Sequence, residues 1–173
     1  MTNLPEPGTR EPTWQDQWRR IERWMLRLHS AEAGDLSYTG QKWCDSNVGV
    51  QLYKDDVVAY FQACYHFKDW LKKDPASAKS ATDVEEFING TDCFKVAADV
   101  TNRSKHGLAD RAPRLDENAQ PRSHRMVIYG ADGQFEMVGG EAILVNGDFI
   151  PALVVAEECF ARWHAYLKER GLL

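Results

Sequence analysis

A polar run that could do chemistry ends a helical segment near the middle of the chain. It reads Asp-Val-Thr-Asn-Arg-Ser-Lys-His, from Asp99 to His106. At about 100° of rotation per residue, Asp99, Asn102 and His106 share one stripe of an α-helix, and Arg103 lies at its edge. These side chains could transfer a proton, bind a phosphate or hold a metal. Whether the stripe is a functional site depends on what covers it. Burial shifts the pKa values of its side chains, whereas exposure leaves an ordinary solvated helix face.

A second polar group lies in a helix predicted over residues 54–73. The large apolar side chains of this helix point in nearly every direction, which is typical of a helix surrounded by protein. His66, Lys68 and Asp69 are therefore polar exceptions on a buried element. Lys68 falls among apolar positions, so its ammonium group either reaches outward to solvent or finds a carboxylate. Any site shared by the two segments requires His66 and His106 to meet between packed helices.

Length and composition set the class of protein. The chain has 173 residues, of which 43% are hydrophobic and 27% charged, so we expect one globular domain over residues 1–173. Its longest apolar runs fall short of the roughly 18 residues of a membrane span, and residues 1–12 are polar. We therefore expect a cytoplasmic protein without membrane contact. The four scattered cysteines do not indicate a disulfide framework.

The charge of the chain is unevenly distributed. A net charge of −5 argues against a protein that coats duplex nucleic acid through bulk electrostatics. Between residues 103 and 125, however, six Lys and Arg residues face only three acidic ones. Arg103 and Lys105 begin this basic stretch and are the candidate contacts to a phosphate-bearing ligand. A solvated loop of mixed charge is the alternative interpretation.

Hydrophobic periodicity predicts an α+β protein, chiefly a helical bundle of about five helices with a small antiparallel sheet of three or four strands before the C-terminal helix. The predicted segments are a helical bundle over 13–106, a loop over 107–124, the sheet over 125–150, and a C-terminal helix over 151–170 that packs on the bundle.

Turn and capping signals refine these boundaries. Thr13 is the predicted N-cap of a first helix that ends near residue 30, and residues 31–50 are predicted as a connection. Thr82 and Glu85 have the form of a capping box opening a short helix, and Thr91 is predicted to cap the helix that ends at His106. Glycine-containing turns at 130–133 and 146–147 separate four predicted strands, at 125–129, 134–138, 141–145 and 148–150.

Three short segments resemble those of a set of short bacterial proteins of uncharacterised function. They are a His-x-x-Asp-Trp helix within Tyr65–Leu71, an Asn-x-Ser-Lys-His helix end within Asp99–His106, and Ala156–Cys159 followed by Trp163. The similarity covers residues 52–170, most of the chain.

More remotely, a helical bundle with a basic and polar helix end before a His is similar to the HEPN superfamily. Many of those proteins are ribonucleases or nucleotide transferase partners in toxin and phage-defence systems, and they often act as dimers. The resemblance implies that His106 is an acid or base and that Arg103 and Asn102 contact phosphate. Arg103 lies only three residues before His106, closer than the Arg of the HEPN motif, and Asn102 stands one turn before it.

The first functional hypothesis is an RNA-binding module or a metal-independent ribonuclease. His106 would act as general acid or base, Arg103 would stabilise phosphate charge, and Asn102 would orient the scissile group. A second proton-transfer group is required, and either His66 or the His106 of a second copy in a homodimer would supply it. No cofactor is expected.

Two other hypotheses use the same residues differently. In one, the chain is a non-catalytic module of a bacterial mobile-element, toxin or defence system, with a partner protein as its ligand. Its polar side chains then form a buried network that fastens two helices: His66, Asp69, Asn102, Asp99 and His106. In the other, a helix-bundle metal site is built from His66, Asp69, Asp99 and His106.

Overall fold

The computed structural model describes residues 11–34, 37–38, 46–106, 113–115, 119–129 and 135–173. The elements follow in the order α1 (Trp14–Gly34), β1 (Ser37–Tyr38), α2 (Ser46–Lys73), α3 (Val84–Gly90), α4 (Asp92–His106), β2 (Gln120–Tyr129), β3 (Phe135–Val145), β4 (Asp148–Pro151) and α5 (Ala152–Glu169). The prediction of an α+β protein with a small antiparallel sheet before the last helix is confirmed. No described helix carries an apolar stretch long enough to span a bilayer.

Strand β3 is the centre of the sheet. Strand β2 pairs antiparallel with it from Gln120, opposite Leu144, to Tyr129, opposite Phe135. Strands β1 and β4 also pair with β3, around positions 137–138 and 142–145, so they share its other edge. Asn146 and Gly147 join β3 to β4 with φ values of 51° and 92°, and the second hairpin is confirmed. A two-residue turn needs these positive φ angles to match the twist of its strands.

Helix α2 is the central element of the bundle. Its fully buried side chains lie within about 120° of one another around the helix, and the apolar side chains on its other faces are only partly buried. The all-round apolar pattern therefore corresponds to one fully buried face flanked by partly buried side chains. The Tyr60 hydroxyl donates a 2.7 Å hydrogen bond to the carbonyl of Ala156, and the indole N–H of Trp163 donates a 3.1 Å bond to the carbonyl of Cys64. These two bonds satisfy buried polar groups and fasten α5 to α2. Trp163 also packs edge-on against Phe67, with 5.0 Å between ring centroids.

Several predicted boundaries were wrong, each for a physical reason. The predicted connection over 31–50 contains the end of α1, β1 and the start of α2. Strand β1 is too short to show periodicity, and a single glycine such as Gly49 costs a helix only about 1 kcal/mol. The predicted loop over 107–124 includes the start of β2 at Gln120. Pro121 suggested a loop, but β2 lies at the end of the strand order, where a missing N–H is tolerated.

The strands predicted at 134–138 and 141–145 are a single strand. Pairing with β2 continues through Gly139 and Gly140, which lie opposite Arg125 and His124. Because the partner strand supplies uninterrupted hydrogen bonding, the two glycines do not end the strand as their composition suggested. The sheet therefore reaches four strands only because β1 is added from the N-terminal half of the chain.

The capping predictions had mixed outcomes. Thr13 is confirmed at the start of α1, where its hydroxyl accepts from the amide of Asp16 while Asp16 accepts from the amide of Thr13. The Thr82 capping box is wrong: α3 begins at Val84, and the carboxylate of Glu85 binds two lysines instead.

Thr91 joins α3 to α4 and forms hydrogen bonds with both helices. Its carbonyl accepts from the amides of Phe94 and Lys95 in the first turn of α4, whereas its hydroxyl donates to the carbonyl of Phe87 in α3.

Candidate functional site

Helices α2 and α4 lie side by side, and two polar contacts join described side chains of the two. The amide of Gln62 donates to the hydroxyl of Ser104 at 2.8 Å, and Nζ of Lys105 lies 2.8 Å from Nε2 of His66. The packing of these two helices, on which a shared site depends, is therefore present. His66 contacts the residue before His106; the side chain of His106 lies outside the described part of the structure.

The contact with Lys105 defines the state of the His66 ring. An ammonium group can only donate, so Nε2 of His66 is assigned as the acceptor of this contact and the ring N–H is assigned to Nδ1. Nδ1 lies 3.5 Å from Oδ2 of Asp69, so the N–H at Nδ1 faces this carboxylate in a loose contact. The side chains of His66 and Asp69 are 38% and 39% exposed, so water and solutes reach both. We call His66, Asp69 and Lys105 the His66 cluster.

An open groove of about 560 Å³ is lined by two members of the His66 cluster, His66 and Asp69. Its volume falls within the range of small-molecule sites. The carboxylate of Asp74 forms part of the wall and accepts from the amides of Trp14 and Ala76, at 3.1 and 2.9 Å, so it holds α1 against the end of α2. The residues lining the groove are Glu11, Pro12, Thr13, His66, Asp69, Trp70, Lys73, Asp74 and Pro75.

A row of alternating charges extends from Asp69 along α2 to α3. Nζ of Lys72 lies 3.6 Å from Asp69 and also bonds Glu85, and this bond raises the pKa of Lys72. Burial raises the pKa of Glu85, but hydrogen bonds from Lys72 and Lys68 outweigh it, and the pKa is lowered. Lys68 is only 8% exposed and reaches both oxygens of Glu85, at 3.1 and 2.9 Å. Of the two alternatives predicted for Lys68, the second is observed, since its ammonium group pairs with a carboxylate.

Asp99 belongs to a different cluster. It is only 6% exposed, and its two oxygens accept 2.8 Å hydrogen bonds from the backbone amides of Arg114 and Leu115. The guanidinium of Arg114 bonds the side-chain oxygen of Asn89 at 2.6 Å and the hydroxyl of Tyr65 at 2.8 Å. We call these contacts the Asp99 anchor, because they fix residues 113–115 against α4.

Arg103 lines a second groove, of about 330 Å³. Arg103 and Asn102 are both half-buried. Arg103 and His66, two of the predicted catalytic residues, therefore line different grooves. The second groove is lined by Lys54, Val58, Val100, Arg103, Ser104, Gln120 and Pro121.

The predicted side chains are thus only partly brought together. His66 and Asp69 are in contact, whereas Asp99 uses both of its oxygens on residues 113–115. Within the described ranges, no three His, Cys, Asp or Glu side chains are grouped so as to hold a metal ion. The three described members of the proposed metal set therefore do not form a site by themselves.

Sequence reasoning missed the contacts that join α2 to α4. It assigned Lys105 to a phosphate without a protein partner and did not single out Gln62 or Ser104. One signal was available: Gln62 and His66 are four residues apart, so a helix places them on the same face. Comparison with protein families, curated proteins and solved structures found no match to this chain. The site is therefore interpreted from its own geometry.

Proposed function

We propose that the chain is a HEPN-like helical module that binds RNA and cleaves it without a metal, with His66 as an acid/base group and Lys105 as the phosphate-binding cation. The observation that carries this proposal is the 2.8 Å contact between Nζ of Lys105 and Nε2 of His66 beside an open groove. It places a neutral imidazole next to a positive charge, the combination that acid/base cleavage of a phosphodiester requires.

The proposed reaction follows from the donor and acceptor roles of these groups. When a phosphate oxygen takes the Lys105 ammonium, Nε2 of His66 is released to accept the proton of a ribose 2′-hydroxyl. The 2′-oxygen then bonds to phosphorus, the bond to the 5′-oxygen breaks, and a 2′,3′-cyclic phosphate forms. The leaving oxygen takes a proton from a second acid, a role that we assign to His106 of the same chain or of a second copy. Asp69 orients the ring through Nδ1.

Exposure and charge favour a localised ligand over bulk binding. The groove beside His66 is open to solvent, and the charged side chains that line it are Lys73 and the acidic Glu11, Asp69 and Asp74. With a net charge of −5, the protein as a whole repels a polyanion. Binding must therefore depend on a few positioned contacts, so it is sensitive to single substitutions.

Variant proteins test this proposal directly. Wild type, His66→Ala and Lys105→Ala are incubated with a mixed RNA pool in the presence of a chelator. Loss of an acid/base group costs about 10²–10⁴ in rate, so we expect His66→Ala to lose cleavage and Lys105→Ala to be strongly impaired. His29→Ala is the matched control, because His29 is an exposed histidine on α1 paired with Glu157. Equal, trace-level cleavage by all four proteins would reject the ribonuclease.

The Asp99 anchor favours a second function, that of a non-catalytic module in a mobile-element, toxin or defence system. A buried carboxylate that accepts two backbone amides organises the chain and needs no ligand. Under this alternative, His66→Ala and wild type bind no RNA, and the functional feature is a protein-binding surface whose shape the Asp99 anchor maintains. A pull-down in which wild type and His66→Ala both bind a defined partner protein encoded beside this one would favour this function over the nuclease.

A further inference from the structure

A groove of about 500 Å³ lies on the surface between α1 and α5, and we call it the α1–α5 groove. Apolar side chains of both helices line it: Met25 and Leu26 of α1 and Phe160 of α5. The Phe160 ring stacks on the buried Trp18, with 5.0 Å between ring centroids, so the apolar lining is continuous with the core of the bundle. Leu26 is 66% exposed, the highest value among the large hydrophobic side chains of the described ranges. The groove therefore offers water an apolar surface that these ranges leave uncovered.

The charges at the α1–α5 groove are acidic. Among the described residues, its lining holds two carboxylates, Glu22 of α1 and Glu157 of α5, and neither lysine nor arginine. Oε1 of Glu157 lies 3.4 Å from Nε2 of His29, which carries a positive charge only when it is protonated. Arg23 lies about 60° from Leu26 around α1, on the side away from Glu22, and does not line the groove. A cationic side chain is therefore the complement of both flanks of the apolar surface.

The walls of the groove determine which backbone conformation fits it. Both walls are α-helices, whose peptide groups are bonded along their own helix and offer no free edge to an extended peptide. A helix satisfies its own peptide groups and needs only side-chain contacts, which is how amphipathic helices bind apolar grooves. Glu22 and His29 are seven residues apart, so the groove follows α1 for about 10 Å, or two helical turns. This length matches apolar anchors at positions i, i+4 and i+7 of a bound helix.

We propose that the α1–α5 groove binds an amphipathic helix of a partner protein. The apolar face of that helix packs on Met25, Leu26 and Phe160, and its flanking Lys or Arg side chains pair with Glu22 and Glu157. This inference goes beyond the proposed function, because the groove shares no residue with the His66 cluster or with the groove beside it. It assigns the partner by its chemistry and does not depend on RNA cleavage.

A displayed peptide library tests the proposal on the full chain. Each member is a short alanine-based helix with leucine at positions i, i+4 and i+7, and the flanking positions are randomised among Lys, Glu and Ser. We expect the members retained by wild type to be enriched in Lys at the flanks. One enriched peptide is then titrated by fluorescence anisotropy. Leu26→Asp is expected to weaken its binding about tenfold, as for a central apolar contact, and Glu22→Gln/Glu157→Gln about fivefold, as for two exposed ion pairs.

Matched controls make the two effects specific to the groove. Phe149→Asp places a charge on another exposed hydrophobic residue, 61% exposed and outside the lining of the groove. Glu86→Gln/Glu169→Gln removes two negative charges from exposed positions elsewhere. Both controls are expected to keep the wild-type affinity. Thermal melting of each variant shows whether it is folded, and the exposure of Leu26 predicts that Leu26→Asp melts as wild type does.

The outcomes that overturn the proposal are distinct. Retention of no library member above background rejects the docking site, and so does equal affinity of wild type and Leu26→Asp for the enriched peptide. Enrichment of Glu at the flanks rejects the stated charge of the partner. Self-association of wild type that Leu26→Asp abolishes, measured by analytical ultracentrifugation, would assign the groove to a second copy of this chain instead of a partner helix. The ribonuclease is tested separately, since its assay uses none of these variants.

Discussion

Asp69 and Asp99 are carboxylates on two helices that pack together, yet they occupy opposite environments. Asp69 is 39% exposed and has a loose 3.5 Å contact with His66. Asp99 is 6% exposed and accepts two backbone amides at 2.8 Å. The difference teaches that polar groups on two packed helices can be one structural and the other accessible, since their covering is local. Residues 113–115 cover Asp99, while Ser104 and Lys105 in the last turn of α4 are exposed.

The largest expected effect is that of Asp99→Ala. This change leaves the amides of Arg114 and Leu115 without their buried acceptor, and each such loss costs about 1–3 kcal/mol. We expect the free energy of unfolding to fall by about 2–4 kcal/mol and the melting temperature by roughly 5–15 °C. Urea denaturation measures the change. An unaltered denaturation midpoint would show that the buried carboxylate is not an anchor and would remove the contrast with Asp69.

A smaller effect is expected from Glu85→Gln. The substitution weakens the pairing of Lys68, which is 8% exposed and cannot regain full hydration, while the exposed side of Glu85 limits the loss. We expect a destabilisation of about 1 kcal/mol, within the range of a partly exposed ion pair. The neighbouring Glu86→Gln is the matched control, because Glu86 is exposed. Equal midpoints for the two variants in urea would assign Lys68 to solvent rather than to Glu85.

The pH dependence of stability tests the contribution of a third carboxylate, Asp83. A hydrogen bond from Arg170, and a second from the hydroxyl of Tyr166, hold the pKa of Asp83 below its usual value of 3.8. The stabilisation is therefore complete above that value and is lost as pH falls through the lower pKa of the folded state. We expect the free energy of unfolding of Asp83→Asn to fall less steeply than that of wild type as the pH is lowered. Asp55→Asn, at an exposed position, is expected to keep the wild-type dependence on pH. Parallel profiles of stability against pH for Asp83→Asn and wild type would contradict this linkage.

The smallest expected effect on stability is at the His66 cluster. His66→Ala and Asp69→Ala remove exposed groups joined by a loose contact, so each is expected to change the free energy of unfolding by less than about 0.5 kcal/mol. Chemical denaturation beside Asp99→Ala provides the direct comparison. A loss above 1 kcal/mol at His66 would mean that the cluster is part of the structural network, which would favour the non-catalytic function.

The fold was largely predictable because its signals are local. The helical spacing of Trp14, Trp18 and Ile21 defines the buried face of α1, and all three side chains are buried. The Asn146-Gly147 hairpin follows from the positive φ angles that its turn requires. Strand β1 and the early start of β2 were missed, because pairing with β3 stabilises segments whose own sequence carries little strand signal.

The site was predictable only in part. Sequence spacing placed His66 and Asp69 one helical turn apart, and they do meet. It also grouped Asp99 with them, since all three are polar residues beside apolar helix faces. The structure separates Asp99 from His66 and Asp69, because the backbone amides of residues 114 and 115 donate hydrogen bonds to both of its oxygens. Nothing in the sequence pattern around Asp99 identifies those distant amides as its partners.

The sequence by itself determined the five helices, the antiparallel sheet and the residue types available for chemistry, because periodicity, turns and side-chain identity are properties of short stretches. Only the tertiary structure decided that Lys105 meets His66, that Arg103 lines a separate groove with Lys54, and that Asp99 is an anchor. These outcomes depend on how α2, α4 and residues 113–115 pack against one another. Packing brings together groups far apart in the chain, and burial then determines which of them stay accessible to a ligand.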